Sequence, residues 1–192
     1  DKEKRESNIV FFPGSASVCP GVSPMFFWTR FVAPRLLRCK MNFCDLSGKS
    51  ILVTGASSGL GRATAILLGK LNAKVCLVAR DNVRLEETKS CLSGAGHVAI
   101  SFDLQRYENY PDLFRNIADK IGPLNGLAHF AGIRKTIPLK TMKINDVKSI
   151  FEVGYFSFVE LVKYFTKKGV ADPEGGSIVV ASSVLALRGA PA

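Results

Sequence analysis

From residue 50 onward the chain alternates short apolar runs with longer stretches whose apolar residues recur every three or four positions. The runs SILVT (50–54), KVCLVA (74–79), HVAISFD (97–103), LNGLAHFAG (124–132) and SIVVAS (177–182) predict five strands. The intervening stretches predict helices over 61–73, 82–94, 110–122 and, as one long element, 145–169. Strands that are apolar on both faces need helices on both sides of the sheet. The expected fold is therefore α/β, a doubly wound parallel sheet with right-handed crossovers and the early strands in the order 3-2-1-4-5.

Residues 1–40 have a different pattern. Prolines at 13, 20, 24 and 34 interrupt them, and no acid occurs between Glu6 and Asp45. No long helix can cross such a stretch, and its longest apolar run is too short to span a bilayer. The expectation is an irregular extension (1–40) ahead of a domain at 41–192 that begins MNFCDLSGKSILVTG. An organellar targeting role or a peripheral membrane contact is the lesser alternative to an extension with no structural role. No transmembrane segment is expected.

Composition narrows the function classes. The 192 residues are 47% apolar, enough for one ordinary domain with its own core. The net charge of +10 is unevenly spread: residues 1–40 hold seven basic and three acidic residues, so the body is only mildly basic. That balance suits an anionic small ligand, and without a basic–aromatic repeat nucleic acid is not an expected partner. The five cysteines are odd in number and never spaced as CxxC, and His97 and His129 stand apart from them. Neither a metal site nor a disulfide framework is expected, and Cys76 reads as a small core residue in a reducing compartment.

The most informative stretch is TGASSGLGRA, which follows the first strand of the body. Gly55, Gly59 and Gly61 lie where a strand turns into a helix. Glycines there permit a tight turn and close backbone approach, and the helix N-terminus offers free N–H groups to a phosphate. The order strand, glycine turn, helix, strand predicts a Rossmann-like dinucleotide site. Arg62 and Ala63 stand where a nucleoside-triphosphate loop would need its lysine. At the tip of the next strand stands Ala79, with Arg80 after it. A carboxylate there would favour the ribose hydroxyls of NAD, whereas an arginine can pair with a 2′-phosphate. NADP(H) is thus expected ahead of NAD(H), although Arg80 also reads as a solvated side chain and Asp81 as a helix cap.

The GxxxGxG spacing resembles the short-chain dehydrogenase/reductase family. HFAG (129–132) is similar to its NNAG motif, and SIVVASSVLALRGAPA is similar to the strand that carries its catalytic serine. The resemblance is nearest to the 3-oxoacyl-[acyl-carrier-protein] reductase branch. It implies an oxidoreductase that interconverts a carbonyl and an alcohol by hydride transfer, on a small molecule or a 3-oxoacyl thioester, in homodimers or homotetramers. Ser183 is the implied catalytic serine. The implied cofactor contacts are Gly55, Ser57, Ser58, Gly59, Leu60, Gly61, Arg80, Asp103, Leu104, Phe130, Ala131 and Gly132.

Three departures accompany the resemblance. Gly154 stands in the long helix where the family has an asparagine, and His129 and Phe130 replace the two asparagines of NNAG. The family's tyrosine and lysine would fall beyond Ala192, so the fold is expected to be incomplete at its C-terminus and this chain to lack turnover. The competing reading is a non-catalytic dinucleotide-binding fragment or scaffold. The expected compartment is cytoplasmic.

Overall fold

A computed structural model of the chain describes residues 9–10 and 44–183. Among these residues six strands form one parallel sheet: β1 (Ile9–Val10), β2 (Ser50–Thr54), β3 (Lys74–Ala79), β4 (Val98–Ser101), β5 (Gly126–His129) and β6 (Ser177–Val180). Their spatial order is β1-β6-β5-β2-β3-β4. Counted from β2 as the first strand of the body, the order is the expected 3-2-1-4-5.

β1 departs from the irregular structure expected of residues 1–40. It adds to the outer edge of β6, with Ile9 beside Ile178 and Val10 beside Val179. β-branched residues favour extended backbone, and the free edge of β6 supplies the unpaired amide and carbonyl groups. The remaining expectations for residues 1–43 lie outside the described residues.

The helices are α1 (Gly59–Lys70), α2 (Asn82–Ser90), α3 (Tyr110–Ile121), α4 (Ile144–Phe151) and α5 (Ser157–Phe165). Alternation along the central strands divides the core between the two faces of the sheet. Val53, Val75 and Leu77 pack with Ala65 of α1 and Leu85 of α2. Leu52, Cys76 and Val78 pack on the other face with Tyr110, Phe114 and Ile117 of α3 and Leu161 and Phe165 of α5. Cys76 is fully buried there, and the burial pushes its thiol up to about 12. It is an inert core residue.

Small residues decide how closely α1 approaches the sheet. Gly61, Ala65 and Gly69 recur every fourth position and form its buried stripe. α2 begins where Asp81 caps it, the carboxylate accepting from the Arg84 N–H at 3.1 Å. α3 starts with Pro111 in its first turn and stops at Gly122, whose φ is 80°.

The segment expected as one helix over 145–169 is not uniform. Between α4 and α5 the backbone makes a π turn at Glu152–Phe156. Gly154 at its centre is the weakest helix former in the segment, and the Ser157 hydroxyl donates to the Val153 carbonyl within it. α5 ends at Phe165, where the Thr166 hydroxyl bonds back to the Val162 carbonyl at 3.0 Å, and Gly169 then turns with φ 86°. No helix among the described residues is long and apolar enough to cross a membrane.

Candidate functional site

All strands run the same way, so their C-terminal ends lie along one rim. Thr54 at the end of β2 is in register with Val78 of β3 and His129 of β5, and His129 is in register with Val180 of β6. The residues singled out from the sequence follow these strand ends. In an open parallel sheet, that rim is where ligands bind.

The glycine turn is built by close contact. Gly55 has φ 67°, and a Cβ on it would lie 2.8 Å from the Ala131 nitrogen and the Phe130 carbonyl carbon. The turn after β2 therefore rests on the HFAG turn after β5. A Cβ on Gly61 would come within 2.3 Å of the Gly55 carbonyl oxygen, so the first turn of α1 lies directly on the glycine loop. Gly59, with φ 55°, is in open space and is needed for its conformation alone.

Ser58 occupies the cap position of α1 but makes no side-chain cap bond, and no acid lies in the first turn. Among the described residues the leading N–H groups of α1 thus have no side-chain acceptor, an arrangement suited to a phosphate. Ser58, Gly59 and Leu60 are exposed and Ser57 is half-buried. Arg62 turns away from the loop and pairs with Glu87 of α2 at 3.7 Å.

Arg80 is exposed immediately after β3, and its carbonyl accepts the Ser101 hydroxyl at 2.8 Å. Asp103 is half-buried after β4, where its carboxylate accepts the Gln105 N–H at 3.2 Å. Leu104 is buried, and its carbonyl accepts the Tyr110 hydroxyl at 2.9 Å. Phe130 and Ala131 are half-buried and Gly132 is exposed. Ser183 is exposed beyond the end of β6, and Gly154 lies half-buried in the π turn, where a Cβ would meet nothing within 4 Å.

A buried polar seam joins these turns. The Thr54 hydroxyl lies 2.8 Å from His129 Nδ1 and accepts the Ala131 N–H at 3.4 Å. His129 is 2% exposed, and burial pushes its pKa down to about 4, so the ring is neutral at pH 7. Three further residues belong to the rim and were not singled out from the sequence. The Gln105 amide donates to the Glu152 carboxylate at 2.8 Å, and the Tyr107 hydroxyl donates to the Glu152 carbonyl at 3.2 Å. They tie the turn after β4 to the π turn across the sheet. The only sequence signal for them is polarity at a strand end, which surface loops share. Among the described residues no group of three His, Cys, Asp or Glu could hold a metal ion.

The family model for short chain dehydrogenase matches residues 49–192. Carbonyl reductase family member 4 of Xenopus tropicalis is 29% identical over 142 residues, covering 73% of this chain and 58% of that protein. Ketoacyl reductase HetN of Nostoc sp. is 30% identical over 139 residues, covering 71% of this chain and 48% of that protein. A solved structure from Sinorhizobium meliloti 1021, provisionally named a short-chain alcohol dehydrogenase, superposes with a TM-score of 0.70 at 30% identity over 77% of this chain and 59% of its own. The chain thus spans about half to three fifths of the length of these relatives. With the family match spanning residues 49–192 and the fold shared with the solved relative, the chain belongs to the short-chain dehydrogenase family of oxidoreductases.

Proposed function

We propose that the chain carries the cofactor-binding part of a carbonyl–alcohol oxidoreductase that takes NADP(H) in preference to NAD(H). The glycine turn suits a pyrophosphate, because Gly55 and Gly61 let the loop pack closely on the HFAG turn and on α1, and the exposed Ser58–Leu60 segment leads into the α1 N-terminus. When bound, the nicotinamide supplies the hydride. The residues of this chain bind and orient it: the α1 N-terminus for the pyrophosphate, Asp103 and Leu104 for the adenine, and Phe130–Gly132 for the central part. Ser183 is the assigned hydroxyl donor to the substrate oxygen. The printed names of two relatives, a carbonyl reductase and a ketoacyl reductase, support a ketone or 3-oxoacyl thioester substrate. A cytoplasmic enzyme in homodimers or homotetramers is the setting proposed for the whole protein.

The observation that carries the cofactor preference is the exposed Arg80 guanidinium at the tip of β3, where Ala79 leaves no carboxylate. An arginine can hold a 2′-phosphate, and an acid would repel one. Calorimetric titration should give tighter binding of NADPH than of NADH, and Arg80→Ala should erase most of the difference. Equal affinities in the unaltered chain would refute the assignment.

A second reading, a dinucleotide-binding module without turnover, is favoured by the proton donors. The buried or partly buried phenols of Tyr107 and Tyr110 are both pushed upward by desolvation, away from what proton transfer near neutrality requires. Gly154 has no side chain to contribute. The 192-residue chain is therefore expected to bind NADPH without oxidising it in the presence of ketones or 3-oxoacyl thioesters. Turnover that disappears in Ser183→Ala would overturn this expectation.

A further inference from the structure

Glu152, the first residue of the π turn, receives two bonds from the turn after β4. The Gln105 side-chain amide donates to its carboxylate at 2.8 Å, and the Tyr107 hydroxyl donates to its carbonyl at 3.2 Å. A carboxylate only accepts, so Gln105 must present its NH₂ group there. The same carbonyl also accepts the Ser157 N–H, the bond that closes the π turn. A carbonyl oxygen has two lone pairs and can serve both donors. Gln105, Tyr107 and Glu152 are all half-buried, which limits the competition from water.

The turn that ends on Glu152 is also closed by bonds of its own. The Asp103 carboxylate accepts the Gln105 N–H at 3.2 Å, and the Asp103 carbonyl accepts the Arg106 N–H at 3.0 Å. The buried Tyr110 donates its hydroxyl to the Leu104 carbonyl at 2.9 Å, and its ring stacks on Tyr107 with centroids 6.1 Å apart. Asp103 and Leu104, the two residues assigned to the adenine, thus belong to a compact turn. Two of its side chains, Gln105 and Tyr107, anchor it to one residue on the far side of the rim.

We propose that Glu152 is a positioning residue for the adenine end of the site: through its carboxylate and its carbonyl it sets where the Asp103–Tyr107 turn stands on the rim. This deepens the reading of the rim as a dinucleotide site and rests on it. The carboxylate acts here as a hydrogen-bond acceptor rather than as a charge. The two roles predict different things. A negative charge acting at a distance opposes an anionic ligand, so its removal in any form tightens binding. An acceptor that holds the turn is lost in Glu152→Ala but kept in Glu152→Gln, whose amide oxygen can take the Gln105 proton.

Calorimetric titration of the full chain with 2′,5′-ADP, which carries the adenine and the 2′-phosphate, separates them. Glu152→Ala should weaken binding about fivefold, the effect of one lost hydrogen bond, and Glu152→Gln should restore it to within about twofold. Gln105→Ala should weaken binding to a similar extent, and it serves where Glu152→Ala fails to fold. Combining the two should cost little more than either alone, because both remove the same bond. Hydrogen exchange without ligand should show the amides of Gln105 and Arg106 opening faster in Glu152→Ala while β2 and β3 stay protected. Unchanged or tighter binding in Glu152→Ala overturns the proposal, as does a Glu152→Gln variant as weak as Glu152→Ala, or additive losses in the double variant. Failure of the unaltered chain to bind either 2′,5′-ADP or NADPH would instead refute the dinucleotide reading. The exchange comparison would still decide whether Glu152 holds the turn.

Discussion

Lowering the pH from 7 to 4 should destabilise this domain through one buried ring, and the size of the effect can be worked out in advance. His129 has an ordinary pKa of 6.5 when exposed and about 4 in the fold, chiefly because burial disfavours its charged form. Between those values the unfolded chain binds a proton that the folded chain refuses. Stability is thus fully present above pH 6.5 and is lost as the pH falls toward 4. The whole gap corresponds to about 3 kcal/mol, and about 2 kcal/mol of it should be gone by pH 5. Against a total of 5–15 kcal/mol for a typical domain that is a large share, on the order of a fifth or more. Asp45 and Asp146 also have depressed values, lowered by hydrogen bonds from Asn72 and Lys135 respectively. Their contributions fade only as the pH falls below their ordinary 3.8, outside the histidine window. The assay is urea unfolding at pH 7, 6, 5 and 4.5 for the unaltered chain and for His129→Asn, which cannot titrate. The difference in unfolding free energy between the two should change by about 2 kcal/mol from pH 7 to pH 5. Parallel curves would refute the argument, because the proton uptake would then belong to another group.

Two further expectations concern contacts rather than charge. Gly61→Ala places a methyl group against the Gly55 carbonyl, so α1 must move off the loop. The expected cost is about 1–3 kcal/mol in urea unfolding together with a tenfold or greater loss of NADPH affinity. Phe151, Tyr155, Phe156 and Val159 are 51%, 56%, 49% and 46% exposed along α4, the π turn and α5, an apolar stripe that invites self-association. Phe151→Asp with Phe156→Asp should lower the sedimentation coefficient at high protein concentration, and an unchanged coefficient would remove the stripe from consideration.

The sequence revealed the sheet and the glycine turn because both rest on local rules. Runs such as KVCLVA, alternating with helical stretches, point to a parallel sheet covered on both faces, and Gly55 and Gly61 are required by backbone approach. The π turn was not legible. A glycine inside an apolar-periodic stretch signals a weak helix, and only the packing of Val153 and Ser157 beneath it shows how the backbone responds. His129 illustrates the same limit. Its departure from the NNAG motif was visible, whereas its partner Thr54 lies 75 residues away in the chain. β1 was missed because Ile9–Val10 is too short for any periodicity to register, and its pairing depends on an edge formed at the far end of the chain.

The parallel sheet also bears on how the rim forms in time. β3 and β4 come together over short chain separations, as the 22-residue span between Val75 and His97 indicates. β2 and β5 meet only after a loop of 75 residues has closed, as between Ser50 and Asn125. Loop closure is paid in entropy before any contact rewards it, and high contact order slows folding. The half-sheet β2-β3-β4 should therefore gain amide protection first, with the β2–β5 seam following as the slow step. Thr54 and His129 sit on that seam, so a partly folded chain can have every strand of the first half in place and still lack the contact that joins the glycine turn to the HFAG turn.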